Sequence, residues 1–266
     1  MKKLTILLAA AAMVLAGCEK VNNAIESVND KSDAIYVSFA DFNTSATKVT
    51  ADDISAETVS FSWESGDKIC FYVEGEEDIE EYCEYVCTDT ETGKFEKADE
   101  EQPDLDPETE YSVVYPAMSE IEFDEDTDAM IETYRENDVT KTHMLVSSAM
   151  GDEESITLFH CPIVHLQLIG DATVGSIKYY SILEGQFASV DLETIQTCGE
   201  NGVTLDADKA TDFYISANGA ASDGFKIEIC DLDGEVISTK TSSIDLTDDS
   251  SYNTIFDMPV IDISLR

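Results

Sequence analysis

Basic residues are scarce in this sequence: Lys and Arg number 15 against 57 Asp and Glu, a formal charge of −42 over 266 residues. A field of that sign repels nucleic-acid phosphates and anionic headgroups, so no nucleic acid is expected as a partner. Its plain physical meaning is a strongly solvated, self-repelling surface. The short patterns that carry catalysis and metal chemistry are missing as well: there is no G-x-S-x-G, no phosphate loop, no H-E-x-x-H and no C-x-x-C. Without them no enzyme activity, cofactor or metal is expected. Carboxylates are so numerous that a pair could be imagined anywhere, and abundance alone says nothing about catalysis. Long runs of 3.6-residue periodicity are absent after Cys18, which excludes a helical body. What is present is a hydrophobic content of 43%, enough to build a packed core and too much for a disordered tail.

The chain opens with Lys2 and Lys3, then the apolar stretch Leu4 to Leu15. That is a charged n-region with an apolar segment of about a dozen residues, short of the ~20 that cross a bilayer as a helix. Leu15, Ala16, Gly17 and Cys18 follow, an order that resembles the bacterial lipobox. Small residues let the chain enter a peptidase extended, and the Cys18 thiol is the nucleophile that accepts diacylglycerol. A thioether lipid plus an N-linked palmitate-type chain supplies the two hydrophobic signals that durable anchoring requires. Residues 1–17 are therefore expected to leave as a signal peptide, and Cys18 to be lipidated. The rest is expected at the outer membrane, on the cell surface, with the lipid anchor as its only membrane contact.

Six further cysteines remain: Cys70, Cys83, Cys87, Cys161, Cys198 and Cys230. Three bridges would allow fifteen connectivities. Cys83 and Cys87 read as members of one strand, where four residues span roughly 13 Å, so they cannot bridge each other. Half-buried thiols without bridges are the expectation.

Residues 18–33 are polar and patternless and read as a flexible tether. A period of two then dominates. Ile35, Val37 and Phe39 alternate with Tyr36 and Ser38, and Val59, Phe61 and Trp63 with Ser60 and Ser62. Further strands are expected over Ile69 to Val73, over Tyr82 to Thr88, at Phe95 and over Tyr111 to Tyr115. A second series runs Ile156 to His160, Val164 to Ile169, Ser176 to Ile182, Phe213 to Ser216, Phe225 to Cys230, Val236 to Lys240, Tyr252 to Phe256 and Val260 to Leu265. Asp233 and Gly234 give a hairpin signal of the type I′ kind, which needs positive φ at both centres. Short strands and frequent turns imply an all-β protein of two tandem sandwiches, 34–150 and 151–266.

Two stretches imitate metal sites. Asp124, Asp126, Asp128 and Glu132 match four positions of an EF-hand loop, but Ala129 stands where glycine is needed and Arg135 where a bidentate glutamate is needed. His160 and His165, read as one strand, would face opposite sides unless Pro162 introduces a bulge. His143 reads as a surface residue.

The stretch from Thr47 to Val73 contains Trp63, Gly66, Asp67 and Ile69 as W-x-x-G-D-x-I, which resembles the signature of the fimbrillin family of surface lipoproteins. The later GKFEK (93–97), EYSVVYPAM (110–118) and ITLFHCPIVHLQL (156–168) fall in the order of that family. The roles of the signature are structural: Trp63 fills one end of a sandwich, Gly66 and Asp67 turn the chain, and Ile69 and Phe71 carry the return strand. The resemblance implies two transthyretin-like β-sandwiches in a structural or anchor subunit of a type V pilus, a fimbrium used in cell adhesion, with other pilus subunits and a host or bacterial surface ligand as partners. It also implies assembly by donor-strand addition, in which a neighbour's extended strand fills a groove left by a removed N-terminal strand. Here the strand to remove would be Ile35 to Ala40. The donor would be Val260 to Leu265, with Ile261, Ile263 and Leu265 facing the groove. No arginine occurs between Cys18 and Arg135, so cleavage would fall at Lys31 or Lys48, or the first strand would stay and the subunit serve as an anchor. The alternative is a surface glycan-binding lipoprotein of a nutrient-uptake system, which would expose a platform of aromatics.

Overall fold

A computed structural model describes residues 34–40, 62–73, 82–134, 144–183, 190–217, 221–247 and 251–264. Cys18, the tether, the expected strand positions Val59 and Phe61, His143 and Leu265 lie outside the described residues. In chain order the strands are β1 (Ile35–Phe39), β2 (Lys68–Tyr72), β3 (Tyr82–Asp89), β4 (Lys94–Lys97), β5 (Glu110–Tyr115), β6 (Glu122–Phe123), β7 (Met130–Thr133), β8 (Leu145–Met150), β9 (Ser155–His160) and β10 (Ile163–Gly170). They continue with β11 (Thr173–Val174), β12 (Ser176–Ile182), β13 (Val190–Thr197), β14 (Val203–Thr204), β15 (Thr211–Ser216), β16 (Phe225–Cys230), β17 (Val236–Ser242), β18 (Ile255–Asp257) and β19 (Ile261–Ile263). The protein is all-β.

Seven strands close into a barrel in the order β1-β4-β3-β2-β5-β8-β9, with β9 returning to β1. Alternation puts Ile35 and Val37 of β1, Cys83, Tyr85 and Cys87 of β3, and Ile156 and Leu158 of β9 into one interior with Trp63, Phe71 and Phe95. A second body stacks a small sheet, β15-β10-β18 with β19 also on β10, against the sheet β17-β16-β12-β13-β7-β6. The inner faces of the two sheets, Val164, Leu166 and Leu168 against Ile177, Tyr179, Phe225 and Ile227, share one core.

The expected division after residue 150 falls between β8 and β9, which are hydrogen-bonded neighbours of the barrel. The barrel also lends a hairpin outward: β6 and β7 leave between β5 and β8, and β7 runs parallel to β13 in the second body, from Met130 opposite Thr194 to Thr133 opposite Thr197. A third apolar cluster includes Cys70, Tyr72, Val114 and Val146 of the barrel strands with Met130, Cys161 and Tyr252.

Two local expectations are corrected. The DLDG turn is not type I′: β16 ends at Cys230, β17 resumes at Val236, and positive φ occurs at Gly234 alone. Asp231 uses its Oδ1 to accept the amides of Asp233 and Glu235, and that carboxylate stabilises a longer loop than the two-residue turn. The strand expected from Tyr252 begins only at Ile255, because Asn253 adopts φ +55° and its Oδ1 accepts the His160 amide at 2.7 Å.

Candidate functional site: the strand grooves

β1 is held from both sides. It pairs antiparallel with β4, Ile35 opposite Phe95 and Tyr36 opposite Lys94, and parallel with β9, from Tyr36 opposite Ser155 to Phe39 opposite Leu158. A parallel neighbour cannot arise from a hairpin; here it joins positions more than a hundred residues apart. The Tyr36 amide donates to the Glu154 carbonyl at 2.8 Å, the Val37 amide to Gly93 at 2.8 Å and the Ala40 amide to Leu158 at 2.9 Å.

Trp63 is the plug behind this strand. Its indole N–H donates to the Val37 carbonyl at 2.9 Å. Its ring stacks on Phe39 at 4.2 Å and meets Phe95 and Tyr115 edge-on at 4.8 and 5.3 Å. Gly93, at φ +65°, lies so close that an added Cβ would stand 2.2 Å from the Val37 carbonyl oxygen. The turn after Trp63 works as its residues require: Gly66 takes φ +97°, and Asp67 accepts the Glu64 amide at 2.7 Å while donating its own amide back to Glu64 at 3.1 Å. Burial, with Asp67 beside it, pushes the Tyr115 hydroxyl well above the ordinary phenol range.

The far strand, β19, sits on one side of β10 only among the described residues, with Leu168 opposite Ile261 and Gly170 opposite Ile263. Ile261 and Ile263 are buried in the second core, whereas Val260 is 54% exposed. Thus of the expected donor residues, two face a groove of their own chain and one faces solvent.

Compared with family models, curated proteins and solved structures, the chain matches none.

The small sheet has a polar clasp on its outer face that sequence reading did not assemble. His165 Nδ1 lies 2.6 Å from Asp257 Oδ1 on β18, and its Nε2 lies 2.9 Å from Asp212 Oδ1 on β15. The Gln167 amide donates to the same Asp212 oxygen at 3.0 Å, and the Tyr214 ring stacks on the imidazole at 4.4 Å. One side chain thereby ties three strands. His160 and His165 are not on one strand: Cys161 and Pro162 separate β9 from β10, so the alternation of a single strand does not relate the two imidazoles. His160 is fully buried.

At the opposite edge of the small sheet, β15 is finished by side chains from the larger one. The Gln196 side-chain amide donates to the Tyr214 carbonyl, and the Ser216 amide donates to Glu132 Oε2 at 3.3 Å. A further buried carboxyl, Glu193, accepts from the Ser181 hydroxyl. Burial pushes it up to about 7, against the pull of that hydrogen bond, with Asp191 adding to the rise. Glu193 sits where the pairing of β12 with β13 slips between Tyr179 and Tyr180. A bulge leaves no mark in composition, so nothing in the sequence pointed to it.

In the acidic loop, Asp124 Oδ1 accepts the Thr127 amide and hydroxyl at 2.9 and 2.7 Å, and Asp128 takes φ +59°. These residues form the hairpin turn between β6 and β7. None of the six cysteines is in a disulfide. Burial raises Cys70, Cys161 and Cys198 to about 12, which keeps them as inert thiols.

Proposed function

We propose that this chain is a fimbrillin-like lipoprotein, anchored through Cys18 at the outer membrane, that serves as a structural or anchor subunit of an adhesive type V pilus and joins its neighbours by donor-strand addition. The transthyretin-like identity of its two modules belongs to the same proposal. The observation that carries it is the seating of β1: it fills a slot between β4 and β9 through backbone hydrogen bonds and an alternating apolar face. The mode is the one an added strand uses, since main-chain bonds supply affinity and alternate side chains supply fit. Lys48 is the first Lys or Arg after β1, so a single cut there would free the strand together with the Cys18 anchor and turn the anchored precursor into a fibre subunit, whereas the uncut chain stays as the anchor. The edges of the small sheet support replacement over simple edge addition there. β15 is capped by Glu132 and Gln196, and β18 is divided from β19 by Pro259, which cannot donate to a ladder.

Against the glycan platform stands Trp63, 6% exposed inside the barrel. Immunogold electron microscopy of cells producing the chain tests the proposal. Label along fibres, lost in Cys18→Ser, is the expected result. Label confined to the membrane, with purified protein retained on glycan beads, would replace the pilus reading with the nutrient-uptake one.

A further inference from the structure

The outer wall of the barrel carries a cleft of about 510 Å³ that the strand grooves do not use. Its floor is the outward face of β2 and β3. Cys83, Tyr85 and Cys87 of β3 enter the barrel core, as do Ile69 and Phe71 of β2, so alternation turns Tyr82, Glu84, Val86 and Lys68 outward. One wall is the loop 98–102, and the other is the 3-10 turn Met118–Glu120. Both walls are fastened to the floor. The Ala98 amide donates to the Glu84 carbonyl at 2.9 Å, and the Glu84 amide donates to Gln102 Oε1 at 2.6 Å. Across the cleft, the Ala117 amide donates to the Lys68 carbonyl at 2.9 Å and the Met118 amide to Cys70 Sγ at 3.4 Å. The cleft is thus formed before a ligand arrives, and little ordering is left for binding to impose.

Its polar groups decide what it can hold. Lys68 Nζ lies 3.3 Å from Glu84 Oε2, while Glu84 Oε1 is buried and meets no donor among the described residues. A buried acceptor in that state calls for a hydrogen bond. Gln102 turns its side-chain oxygen to the Glu84 amide, which leaves its two Nε2 hydrogens pointing away from that bond. Asp99 and Ser119 add an acceptor and a hydroxyl to the walls, and the half-buried Tyr82 adds a ring.

Anions are repelled: Glu84 and Asp99 line the cleft, and burial raises the neighbouring Glu120, with Glu84 and Asp67 adding to the rise against the pull of Lys68. An amine would have to sit beside the Lys68 ammonium, and an apolar ligand would strand the ion pair and the amide. The groups match a neutral ligand whose polar atoms both donate and accept and which has an apolar face for a ring. We propose that the cleft binds one sugar unit at the end of a glycan, its C–H face on Tyr82 and two neighbouring hydroxyls shared among Lys68, Glu84 and Gln102. Each hydroxyl donates to the carboxylate and accepts from the ammonium or the amide. The volume falls within the roughly 300–1,000 Å³ of small-ligand sites. One ring between two walls takes a single unit, unlike a flat aromatic platform. Because the floor faces away from the β1 groove, sugar binding and strand exchange can each fail alone.

Saturation-transfer NMR on the full chain, held in a detergent without a sugar headgroup, tests the site. The probes are methyl glycosides of glucose, galactose, mannose and N-acetylglucosamine at millimolar concentration, with butylammonium as the cationic control. Transfer to at least one glycoside, strongest at its ring C–H protons, is expected. Tyr82→Phe should keep the apparent affinity, and Tyr82→Ala should weaken it about five- to tenfold. Gln102→Glu retains the acceptor for the Glu84 amide and removes the Nε2 donors, so it should weaken binding about threefold or more with the melting temperature unchanged. Binding that both Tyr82→Ala and Gln102→Glu leave intact would put the sugar elsewhere and overturn the site. No transfer to any of these glycosides, or stronger transfer to butylammonium, would overturn the choice of ligand and the proposal with it.

Discussion

At the scale of single residues, the groove depends on Gly93 and Trp63. Gly93→Ala adds a Cβ that must push the Val37 carbonyl away, on top of the left-handed strain of about 1–2 kcal/mol. Gly199→Ala carries only the strain, since φ is +72° and nothing lies within 4 Å. Urea titration should show Gly93→Ala losing at least about 2 kcal/mol and clearly more than Gly199→Ala. Trp63→Phe removes the indole donor and should cost about 1–3 kcal/mol. Glu193 gives a pH signature. Its folded pKa, about 7, lies above the ordinary carboxylate value, so the folded state holds the proton more tightly than the unfolded one. The stability this contributes is full below about pH 4.3 and is lost as pH rises through 7, at most about 4 kcal/mol. Glu193→Gln should flatten that decline in melting temperature between pH 5 and 8; an unchanged slope would contradict the assignment.

At the scale of elements, legibility followed the polarity of the buried face. β12 and β16 were readable to the residue because their inward positions are apolar, Ile177 and Tyr179 in one, Phe225, Ile227 and Ile229 in the other. β13 was invisible because its buried residues are Glu193, Thr194 and Gln196, and β7 because it buries Glu132. β8 hid for the opposite reason: Leu145 and Ala149 face the barrel interior while Val146 faces the third cluster, so alternation disappears. The candidate groove was half legible. The alternation of β1 and the Trp63 turn were open to reading, but a parallel pairing of β1 with β9 has no local signal. The clasp at His165 makes an element-scale prediction: Asp257→Ala should speed hydrogen exchange over 255–263 by about tenfold or more, with the barrel strands unaffected, because one of the ties from β10 to β18 is gone.

At the scale of the molecule, the exchange of β6 and β7 matters most. A pair of modules joined by a linker would melt separately, but here the first body supplies an internal strand to the sheet of the second. Calorimetry should therefore give a single transition, and an excised 161–266 fragment, lacking β7, should show no protected amides. Two resolved transitions would contradict the interlock. The proposed joining of subunits by an exchanged strand is tested on an SDS gel of unboiled membrane fractions from cells producing the full chain or a chain lacking residues 260–266. Strand exchange predicts a ladder of regular steps from the full chain and a single monomer band from the deletion; a ladder that survives the deletion would contradict it.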